Sequence, residues 1–403
     1  MAKRKLKFKN KSIGSKPKKV KLNALFYSGG TSDGCTIYRF EIPRTTLNVS
    51  NSAKIQITNF IQPMVVDSPK GKIINPVYTN TGSVVIQRPT DENKLNQIKH
   101  LVNVQKQIKQ NGSEIPFRLC VDVDDILHGD HVSRFNSNGS HFFDNKRFEV
   151  FSEAVRHVDE LHVCSKSMAD FYKEHIGVDH VTYKPNFLPK YLFDWYDEER
   201  SRRNFEKHKS KPRILYAGAA QHFDVLNQNG GVDDFTHVLD LIEKTKNEWQ
   251  WVFYGAHPTQ LEADVKNGVI EFHKYTPFMD YAKKLIDLEP TVMLAPLQDN
   301  TFNRCKSNIK LTEAGALGIA GVFQNLEPYE GAPLQFDDSQ HMADNIKFLL
   351  SDWDKYVSVL REQRKFSEDF FAEDNTDLML ASYFTNIGSI ARRKVCQKLV
   401  DIQ

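Results

Sequence analysis

Residues 291–322, TVMLAPLQDNTFNRCKSNIKLTEAGALGIAGV, combine an apolar run, a polar loop and an amphipathic segment. The run Val292–Ala295 has the length and bulk of a buried strand. After the polar loop, residues 298–306, either Ser307 or Asn308 can cap a helix. A strand, a polar loop and a helix N-terminus in this order form an anion site, because free backbone N–H groups and the helix dipole face the loop.

The helix predicted here carries charge on one face and ends at Gly318. Lys306, Lys310 and Glu313 are spaced i, i+4 and i+7, so they share a face near its N-terminus. Cations suit phosphates, and a fixed carboxylate suits a ribose diol. An ordinary amphipathic helix with solvated charges is the alternative explanation of the same residues.

The composition is that of a soluble, two-domain protein. A chain of 403 residues has room for two domains, with 40% hydrophobic and 26% charged residues. It has no apolar run of the roughly 18 residues that a membrane span needs, and no apolar segment follows the basic N-terminus. The five cysteines are scattered, with neither disulfide nor metal-ligand spacing. We therefore expect a cytoplasmic protein without a transmembrane helix, a signal peptide or a metal site.

The basic residues are concentrated at the N-terminus. Residues 1–21 contain ten Lys or Arg and no acid, which leaves 44 basic and 51 acidic residues in the remainder. A basic arm on a mildly acidic body is a common layout in proteins that bind a polyanion. A disordered tail that only aids solubility is the alternative.

Ligand-binding loops are predicted in the first half of the chain. Gly29 and Gly30 lie in a glycine-rich turn after a first strand, where the backbone can approach a ligand closely. A later strand, residues 117–123, brings Asp122, Asp124 and Asp125 to its carboxyl end. Open α/β sheets bind their ligands at this edge, which favours a site over a random acidic turn.

Strand and helix patterns alternate along most of the chain, which predicts parallel sheets in an α/β fold. The pattern starts again after a charged stretch, with a loop that contains Gly218 and His222. The predicted organisation is a basic arm (1–21), a first Rossmann-like domain (22–189), a linker (190–211), a second Rossmann-like domain (212–377) and a C-terminal helix that returns to the first domain (378–403). A cleft between the two domains is the expected substrate site.

Several short motifs occur together in one order. They are a Tyr-Arg-x-x-x-Pro segment, a VVIQRP strand, an Asp-x-Asp-Asp strand end, a Pro-Asn pair, a Gly-x-x-x-His-x-Asp loop and APLxDNxFNxxKSNxKxxExxAxG at 295–318. In this order they resemble the GT-B glycosyltransferases, particularly the group-1, family-4-like enzymes that use nucleotide sugars. The resemblance covers nearly the whole chain after the arm. It implies that the first domain, 22–189, holds the acceptor and that the second, 212–377, holds the nucleotide sugar.

This resemblance implies specific roles in donor binding. Glu313 matches the second glutamate of a Glu-x7-Glu pattern and would hold the ribose, whereas Cys305 occupies the position of the first glutamate. The remaining donor contacts would come from the diphosphate-binding turn, the glycine loops and one histidine, namely Lys306, Ser307, Asn308, Lys310, Gly29, Gly30, Gly218 and His222.

The reaction implied is sugar transfer from a UDP-sugar to a hydroxyl group, with retention of anomeric configuration and without a metal or other cofactor. Asp122, Asp124 and Asp125 are candidate bases or acceptor contacts, and His222 is a further catalytic candidate. One aspartate could instead act as the base of an inverting reaction.

The basic arm and the Lys-, Asn- and Phe-rich composition resemble bacteriophage proteins, so the leading acceptor hypothesis is a 5-hydroxymethylpyrimidine in duplex DNA. We expect a monomer whose arm contacts DNA phosphates through Lys3, Arg4, Lys5, Lys7, Lys9, Lys18 and Lys19. One alternative is a transferase acting on a surface polysaccharide, a lipid-linked glycan or a protein. Another is a non-catalytic carbohydrate- or nucleic-acid-binding protein, which Cys305 would favour.

Overall fold

The computed structural model describes residues 22–28, 34–63, 65–69, 71–79, 81–110, 117–136, 140, 142–225 and 229–384. The predicted basic arm and the Gly29–Gly30 turn lie outside these residues. Within them the chain forms two six-stranded parallel sheets and one two-stranded hairpin.

The first sheet has the strand order β2-β1-β5-β6-β7-β8, and all its pairings are parallel. Its central strands are near-continuous apolar runs because helices cover both faces; all five residues of β5 are buried. The strands of this half, including the antiparallel β3–β4 hairpin, are β1 (Leu22–Tyr27), β2 (Ala53–Thr58), β3 (Val65–Ser68), β4 (Gly71–Ile74), β5 (Ser83–Gln87), β6 (Arg118–Val123), β7 (Glu160–Val163) and β8 (Val181–Tyr183).

The helices of this half connect the parallel strands. Three of them adjoin a π-helical turn: the first two are joined by the turn Ile37–Glu41, and the last continues into the turn Lys173–Gly177. They are α1 (Gly34–Thr36), α2 (Ile42–Val49), α3 (Pro76–Thr79), α4 (Glu92–Gln110), α5 (Lys146–Arg156) and α6 (Lys166–Tyr172).

The second sheet is also six-stranded and parallel, with the strand order β11-β10-β9-β12-β13-β14. Its strands are β9 (Arg213–Gly218), β10 (Gln250–Gly255), β11 (Glu271–Lys274), β12 (Val292–Ala295), β13 (Gly321–Gln324) and β14 (Gln335–Phe336). The helices from the domain junction onward are α7 (Lys190–Phe193), α8 (Glu198–Lys207), α9 (Leu239–Thr245), α10 (Glu262–Lys266), α11 (Phe278–Asp287), α12 (Thr301–Arg304), α13 (Ile309–Leu317), α14 (Ser339–Ser351), α15 (Trp353–Glu368) and α16 (Thr376–Tyr383). No described helix is both long and apolar enough to cross a membrane.

The stretch 291–322 supplies the centre of this second half. β12 has the predicted bounds and is fully buried, and α13 ends at Gly318, whose φ of 68° is the left-handed conformation that glycine adopts without strain. The predicted polar loop between them contains a short helix, α12. It begins where the Asn300 side chain accepts a hydrogen bond from the Asn303 amide.

The charged stretch 190–211, which was predicted as a linker, folds into α7 and α8. Helix α8 packs on the second half of the chain, where the Ser201 hydroxyl donates to the Gly318 carbonyl at 2.8 Å. The Phe205 ring also contacts the rings of Trp353 and Tyr356. The polar composition of this stretch therefore reflects the outer face of a packed helix.

The C-terminal part of the described chain contacts the first sheet. Met379 and Tyr383 of α16 are fully buried in one apolar cluster with Ala24 and Phe26 of β1. Residues 385–403, the rest of the predicted C-terminal helix, lie outside the described residues.

Candidate functional site

Glu313 of α13 lies where the two halves of the chain meet. Its side chain is only 3% exposed. One carboxylate oxygen accepts a hydrogen bond of 2.7 Å from the Tyr38 hydroxyl, which belongs to the first half of the chain. The other accepts hydrogen bonds from the Tyr281 hydroxyl at 3.0 Å and the Lys310 ammonium at 3.1 Å. One buried carboxylate therefore joins the two domains.

The protonation of these groups follows from their surroundings. Burial, and next the negative charge of Glu313, raise the pKa of both Tyr38 and Tyr281 well above the usual value. Both phenols therefore keep their protons at neutral pH and donate them to the carboxylate. Any ligand hydroxyl that binds Glu313 must compete with these two donors.

An apolar cavity of about 160 Å³ opens beside Glu313, and we call it the aromatic pocket. Four aromatic residues of the second domain line it, of which Tyr275 is 60% exposed. A flat apolar ring system fits such a wall, since aromatic faces stack on one another. The lining residues are Gly34, Tyr38, Gly218, Ala219, Tyr254, Tyr275, Phe278, Tyr281, Ile309, Lys310 and Glu313.

Gly218, a predicted donor contact, is at the end of β9 on the wall of this pocket. A Cβ at this position would lie 2.3 Å from the Tyr216 hydroxyl oxygen and 2.6 Å from the ring carbon that bears it. Glycine is therefore required here by the close approach of Tyr216. The absence of a side chain at Gly218 also leaves the backbone accessible from the pocket.

A second cavity, of about 310 Å³, adjoins the first and shares Gly34, Tyr38, Ile309 and Lys310 with it. We call it the polar pocket. Most of the remaining residues predicted from sequence meet here. Its other lining residues are Cys35, Arg39, Asp124, Asp125, Asn186, His222, Leu297, Lys306, Ser307 and Tyr329.

The N-terminus of α13 supplies cations and polar groups to the polar pocket. Within the described residues, Lys306 makes no ion pair. Its ammonium lies 5.3 Å from the centre of the Phe302 ring. The Ser307 hydroxyl accepts a hydrogen bond of 3.2 Å from the Asn186 amide of the first domain. Asn308 is the N-cap residue of α13, although its side chain makes no capping hydrogen bond. The arrangement suits an anion, because the first turn of α13 and two lysines line the same space.

His222 also lines the polar pocket, and a carboxylate orients it. Its Nδ1 lies 2.7 Å from an oxygen of Asp234, which is fully buried. Burial, and next the charge of Lys306, lower the pKa of His222. The neutral ring donates its Nδ1 proton to Asp234, so Nε2 is left as an acceptor. Sequence reasoning missed Asp234, since nothing in its polar loop distinguishes it from a solvated residue.

The aspartates of the β6 end have different roles. Asp122 is fully buried, and its two oxygens accept hydrogen bonds of 2.9 and 2.8 Å from the Arg39 guanidinium. Burial alone would raise the pKa of Asp122, but the positive charge of Arg39 and, to a smaller extent, that of Lys184 lower it. The prediction that Asp122 is a base or acceptor contact is therefore wrong. The ionised Asp122 carboxylate is buried and forms a bidentate pair with Arg39. It therefore cannot contact an acceptor molecule, and it does not readily accept a proton from one.

Asp124 and Asp125 do line the polar pocket, and Arg88 holds both. The Arg88 Nε donates to Asp124 at 2.7 Å, and its Nη2 lies 3.3 Å from an oxygen of Asp125. Arg88 has a φ of 43°, the left-handed conformation that costs a non-glycine residue energy. Strain of this kind is concentrated at functional sites, which supports the placement of a site at this edge.

Cys305, at the position of the absent glutamate, faces away from both pockets. It is buried in the apolar cluster of the first domain together with Phe302. Its carbonyl accepts a hydrogen bond of 2.7 Å from the Ser165 hydroxyl, and burial raises the pKa of its thiol to about 12. A protonated, packed thiol stabilises the domain contact and offers no ligand group.

No family model matches this sequence, and no curated protein sequence matches it. Solved structures do match. The sucrose-phosphate synthase of Thermosynechococcus elongatus is 14% identical with a TM-score of 0.57, over 90% of this chain and 98% of that one. Anabaena Alr3699/HepE in complex with UDP and glucose is 11% identical with a TM-score of 0.54, over 90% and 98%.

A third match is an alpha-glucosyltransferase in complex with UDP and a 13-mer DNA containing an HMU base. It is 13% identical with a TM-score of 0.51, over 87% of this chain and 95% of that one. Each of these three matches covers 87–90% of this chain. The chain has the GT-B fold. The fold expected from the motif order is thereby confirmed, and the pockets at α13 lie in the interdomain cleft of a GT-B protein.

Proposed function

We propose that this protein is a glycosyltransferase that moves a sugar from a UDP-sugar to a hydroxyl acceptor. One observation carries the proposal. An aromatic pocket, a buried carboxylate on its wall and a cationic helix N-terminus follow one another along the cleft, in the order in which a nucleotide sugar presents its base, ribose and diphosphate.

The nucleoside half of the donor fits the aromatic pocket and Glu313. A uracil ring would stack on the aromatic wall, and the ribose hydroxyls would replace the phenols of Tyr38 and Tyr281 on the carboxylate. Glu313 is a strong acceptor because its carboxylate is removed from water. The UDP complexes of two of the matched structures support uridine as the nucleoside.

The diphosphate would lie across the shared wall of the two pockets, against Lys306, Lys310 and the first turn of α13. Sugar transfer breaks the bond between the anomeric carbon and the diphosphate oxygen, so negative charge develops on UDP as it leaves. Two ammonium groups and the helix dipole stabilise that charge in place. These side chains can meet the charge of the leaving group without a metal, and we include metal independence in the proposal.

The sugar and the acceptor hydroxyl would meet in the polar pocket. Its candidate proton acceptors are the neutral His222 ring and the carboxylates Asp124 and Asp125. As the new bond to the anomeric carbon forms, the acceptor oxygen must lose its proton to one of these groups or to the departing phosphate. Retention of configuration is part of the proposal, and NMR coupling constants of the product would test it.

A 5-hydroxymethylpyrimidine in duplex DNA is the acceptor that we propose. The support is the basic arm at residues 1–21, which suits a phosphate backbone, together with the match to a structure that contains UDP and DNA with an HMU base. The alternative is a saccharide, lipid-linked or protein acceptor. The match to a sucrose-phosphate synthase, which has the higher TM-score, favours a saccharide.

A product assay tests the proposal. The untagged full-length protein is incubated with several UDP-sugars and with duplex DNA that contains 5-hydroxymethylcytosine or 5-hydroxymethyluracil. Released UDP is measured, and the digested nucleosides are analysed by mass spectrometry. The proposal predicts UDP release and a nucleoside heavier by one sugar residue, both lost in Glu313→Ala. UDP release without any modified nucleoside would remove the DNA acceptor but keep the donor site. Absence of UDP release with every donor and acceptor would contradict the proposal.

A further inference from the structure

Asp234 is a carboxylate that accepts hydrogen bonds from three parts of the second domain. It lies in the turn before α9 and is fully buried. One of its oxygens lies 2.7 Å from Nδ1 of His222. The other accepts hydrogen bonds from the Gln298 backbone amide at 2.8 Å and from the Asn303 side-chain amide at 2.6 Å. Both oxygens are therefore held in place, and the first of them fixes the orientation of the His222 ring.

The short helix α12 holds Asp234 through Asn303. Asn303 is fully buried, and its side-chain amide also donates to the Gln298 carbonyl at 2.8 Å. Its backbone amide donates to the Asn300 side chain at 2.9 Å, which is the bond that begins α12. The position of the Asp234 carboxylate is therefore set by the polar loop that leads to α13.

One ring nitrogen of His222 remains for a ligand. The side chain is 23% exposed and lines the polar pocket. Nδ1 is bonded to Asp234, and Nε2 makes no hydrogen bond with any described residue. The Tyr216 ring packs edge-on against the imidazole, with ring centres 6.2 Å apart. A carboxylate and an aromatic neighbour thus orient the ring, and Nε2 is the atom that can contact a ligand.

Two lysines bring positive charge to the same pocket, which is lined by both Lys306 and Lys310. Burial and then the charge of Lys306 lower the pKa of His222. The hydrogen bond and charge of Asp234 oppose this shift, and the charge of Lys310 adds to it. While no anion neutralises the lysines, the ring is therefore mostly neutral at pH 7.

The other titratable groups around the ring belong to both domains. Burial raises the pKa of the nearby phenols and of the Cys35 thiol, so these groups stay protonated near pH 7. Arg88 pairs with the carboxylates that the first domain contributes, Asp124 and Asp125. The phenols are Tyr38, Tyr216 and Tyr329, and a further guanidinium in the lining is that of Arg39. Histidine is the side chain that ordinarily titrates near pH 7, so we assign a proton exchanged here to His222.

A bound diphosphate would reverse the charge that surrounds the ring. The diphosphate of a UDP-sugar carries two negative charges, and in the polar pocket it would pair with both lysines. An opposite charge within about 4–6 Å shifts a pKa by about 1–3 units towards the charged form. The pKa of His222 should therefore rise when the donor binds.

We propose that Asp234 is a positioning residue that orients Nε2 of His222 towards the donor diphosphate, and that the ring takes a proton from solvent when the diphosphate binds. The imidazolium then donates Nε2–H to a phosphate oxygen and adds a third positive group beside the leaving UDP. A ring that already carries this proton cannot take one from the acceptor hydroxyl, so the acceptor proton goes to Asp124, Asp125 or the departing phosphate. The inference rests on the proposed function, because it requires a diphosphate in the polar pocket.

Proton uptake is measured by calorimetric titration of UDP-glucose into the untagged full-length protein. Titrations at pH 7 in Pipes and in imidazole buffer, which differ in ionisation enthalpy, give the number of protons taken up. The diphosphate of UDP-glucose is a diester that does not itself titrate near pH 7. We expect an uptake of about half a proton or more per UDP-glucose, for a pKa shift of about two units. Uridine, which has no phosphate, should bind without proton uptake.

The affinity for UDP-glucose should also depend on pH. Since the pKa of His222 is higher in the complex, the gain in affinity is complete below the pKa of the free protein. It is lost as pH rises through the pKa of the complex. We expect affinity to fall about tenfold or more between pH 6 and pH 8.5, because one pKa unit corresponds to tenfold in affinity. Uridine affinity should stay constant over this range.

Three variants separate positioning from folding. His222→Gln should abolish the proton uptake. Asp234→Asn should reduce the uptake and weaken UDP-glucose binding but not uridine binding, because the protonated ring loses its counter-charge. Asp233→Asn is the matched control: Asp233 is 2% exposed and accepts hydrogen bonds from the backbone amides of Asp224 and Phe235. It should show the wild-type uptake, and thermal midpoints show whether each variant has folded.

UDP-glucose binding by the wild type without proton uptake would overturn the inference and leave the donor site intact. The same uptake in folded His222→Gln as in the wild type would also overturn it, and the same uptake in folded Asp234→Asn would remove the role of Asp234. Failure of UDP-glucose to bind would overturn the inference. Failure of UDP to bind as well would contradict the proposed function too.

Discussion

The bond between Tyr38 and Glu313 gives the sharpest test of donor binding. In the proposed complex the ribose hydroxyls take the place of this phenol on the carboxylate. Tyr38→Phe removes the competing donor but keeps the ring, which packs edge-on against Phe278 with centres 5.4 Å apart. We therefore expect UDP to bind the variant more tightly than the wild type, although the substitution adds no contact to the ligand.

The magnitude follows from the geometry. In this 2.7 Å bond the Tyr38 hydroxyl donates to a carboxylate that is 3% exposed, so it belongs to the stronger class of hydrogen bonds, worth about 1.5–3 kcal/mol. Since about 1.4 kcal/mol corresponds to tenfold in affinity, complete relief would tighten binding by about 10- to 150-fold. Tyr281 and Lys310 still bind the freed carboxylate, so we expect the lower end, about tenfold.

Calorimetric titration of UDP into both proteins measures the change. Tyr254→Phe is the matched control: this phenol lines the same pocket but bonds to Thr276, with oxygens 2.5 Å apart, and makes no bond to Glu313. Its UDP affinity should stay close to that of the wild type. Unchanged or weaker UDP binding in Tyr38→Phe would refute the idea that the ribose replaces this phenol.

Three further predictions concern the cationic turn and the buried charges. In competition titrations, Lys306→Ala should weaken UDP binding about tenfold and leave uridine binding unchanged, because Lys306 would contact only the diphosphate. Equal losses of affinity for UDP and uridine would contradict this contact. Asp122→Asn should lower the free energy of unfolding in urea by about 3–5 kcal/mol, because Arg39 loses its buried counter-charge, and a loss below about 1 kcal/mol would show that the pair is dispensable. Burial lowers the pKa of Lys184 from 10.5 to about 7, so between these values the unfolded chain binds a proton that the folded chain does not. The contribution of Lys184 to stability therefore rises with pH across this window. The wild type should gain more unfolding free energy between pH 7 and pH 9 than the Lys184→Met variant does. Identical gains in the two proteins would contradict the assigned pKa shift.

Local signals in the sequence were reliable for the elements that build the cleft. The apolar run Val292–Ala295 and the glycine at 318 predicted a strand and a helix end correctly, because both depend on residues next to one another in the chain. The gathering of Lys306, Ser307 and His222 around one pocket followed from the order of the motifs. The predicted polar loop missed the short helix α12, whose start depends on a single asparagine cap.

The long-range pairings could not be predicted in this way. Asp122 carries the same sequence signal as Asp124, yet it pairs with Arg39, 83 positions earlier, and is sealed from the cleft. Tyr38 reaches Glu313 across 275 positions. No periodicity or spacing encodes which side chains meet between two domains, since that depends on how the two sheets are placed against each other.

The central claim is that the cleft holds the nucleotide of a UDP-sugar through Glu313. The most direct measurement is a calorimetric titration of UDP into the wild type and into Glu313→Ala, with thermal midpoints to show that both are folded. Two ribose hydroxyls on a buried carboxylate contribute about 1.5–3 kcal/mol each, from which the displaced bonds of Tyr38 and Tyr281 must be subtracted. We therefore predict one UDP site in the wild type and affinity lower by about tenfold or more in the variant. Equal affinities in the two folded proteins, or no UDP binding by the wild type, would contradict the account.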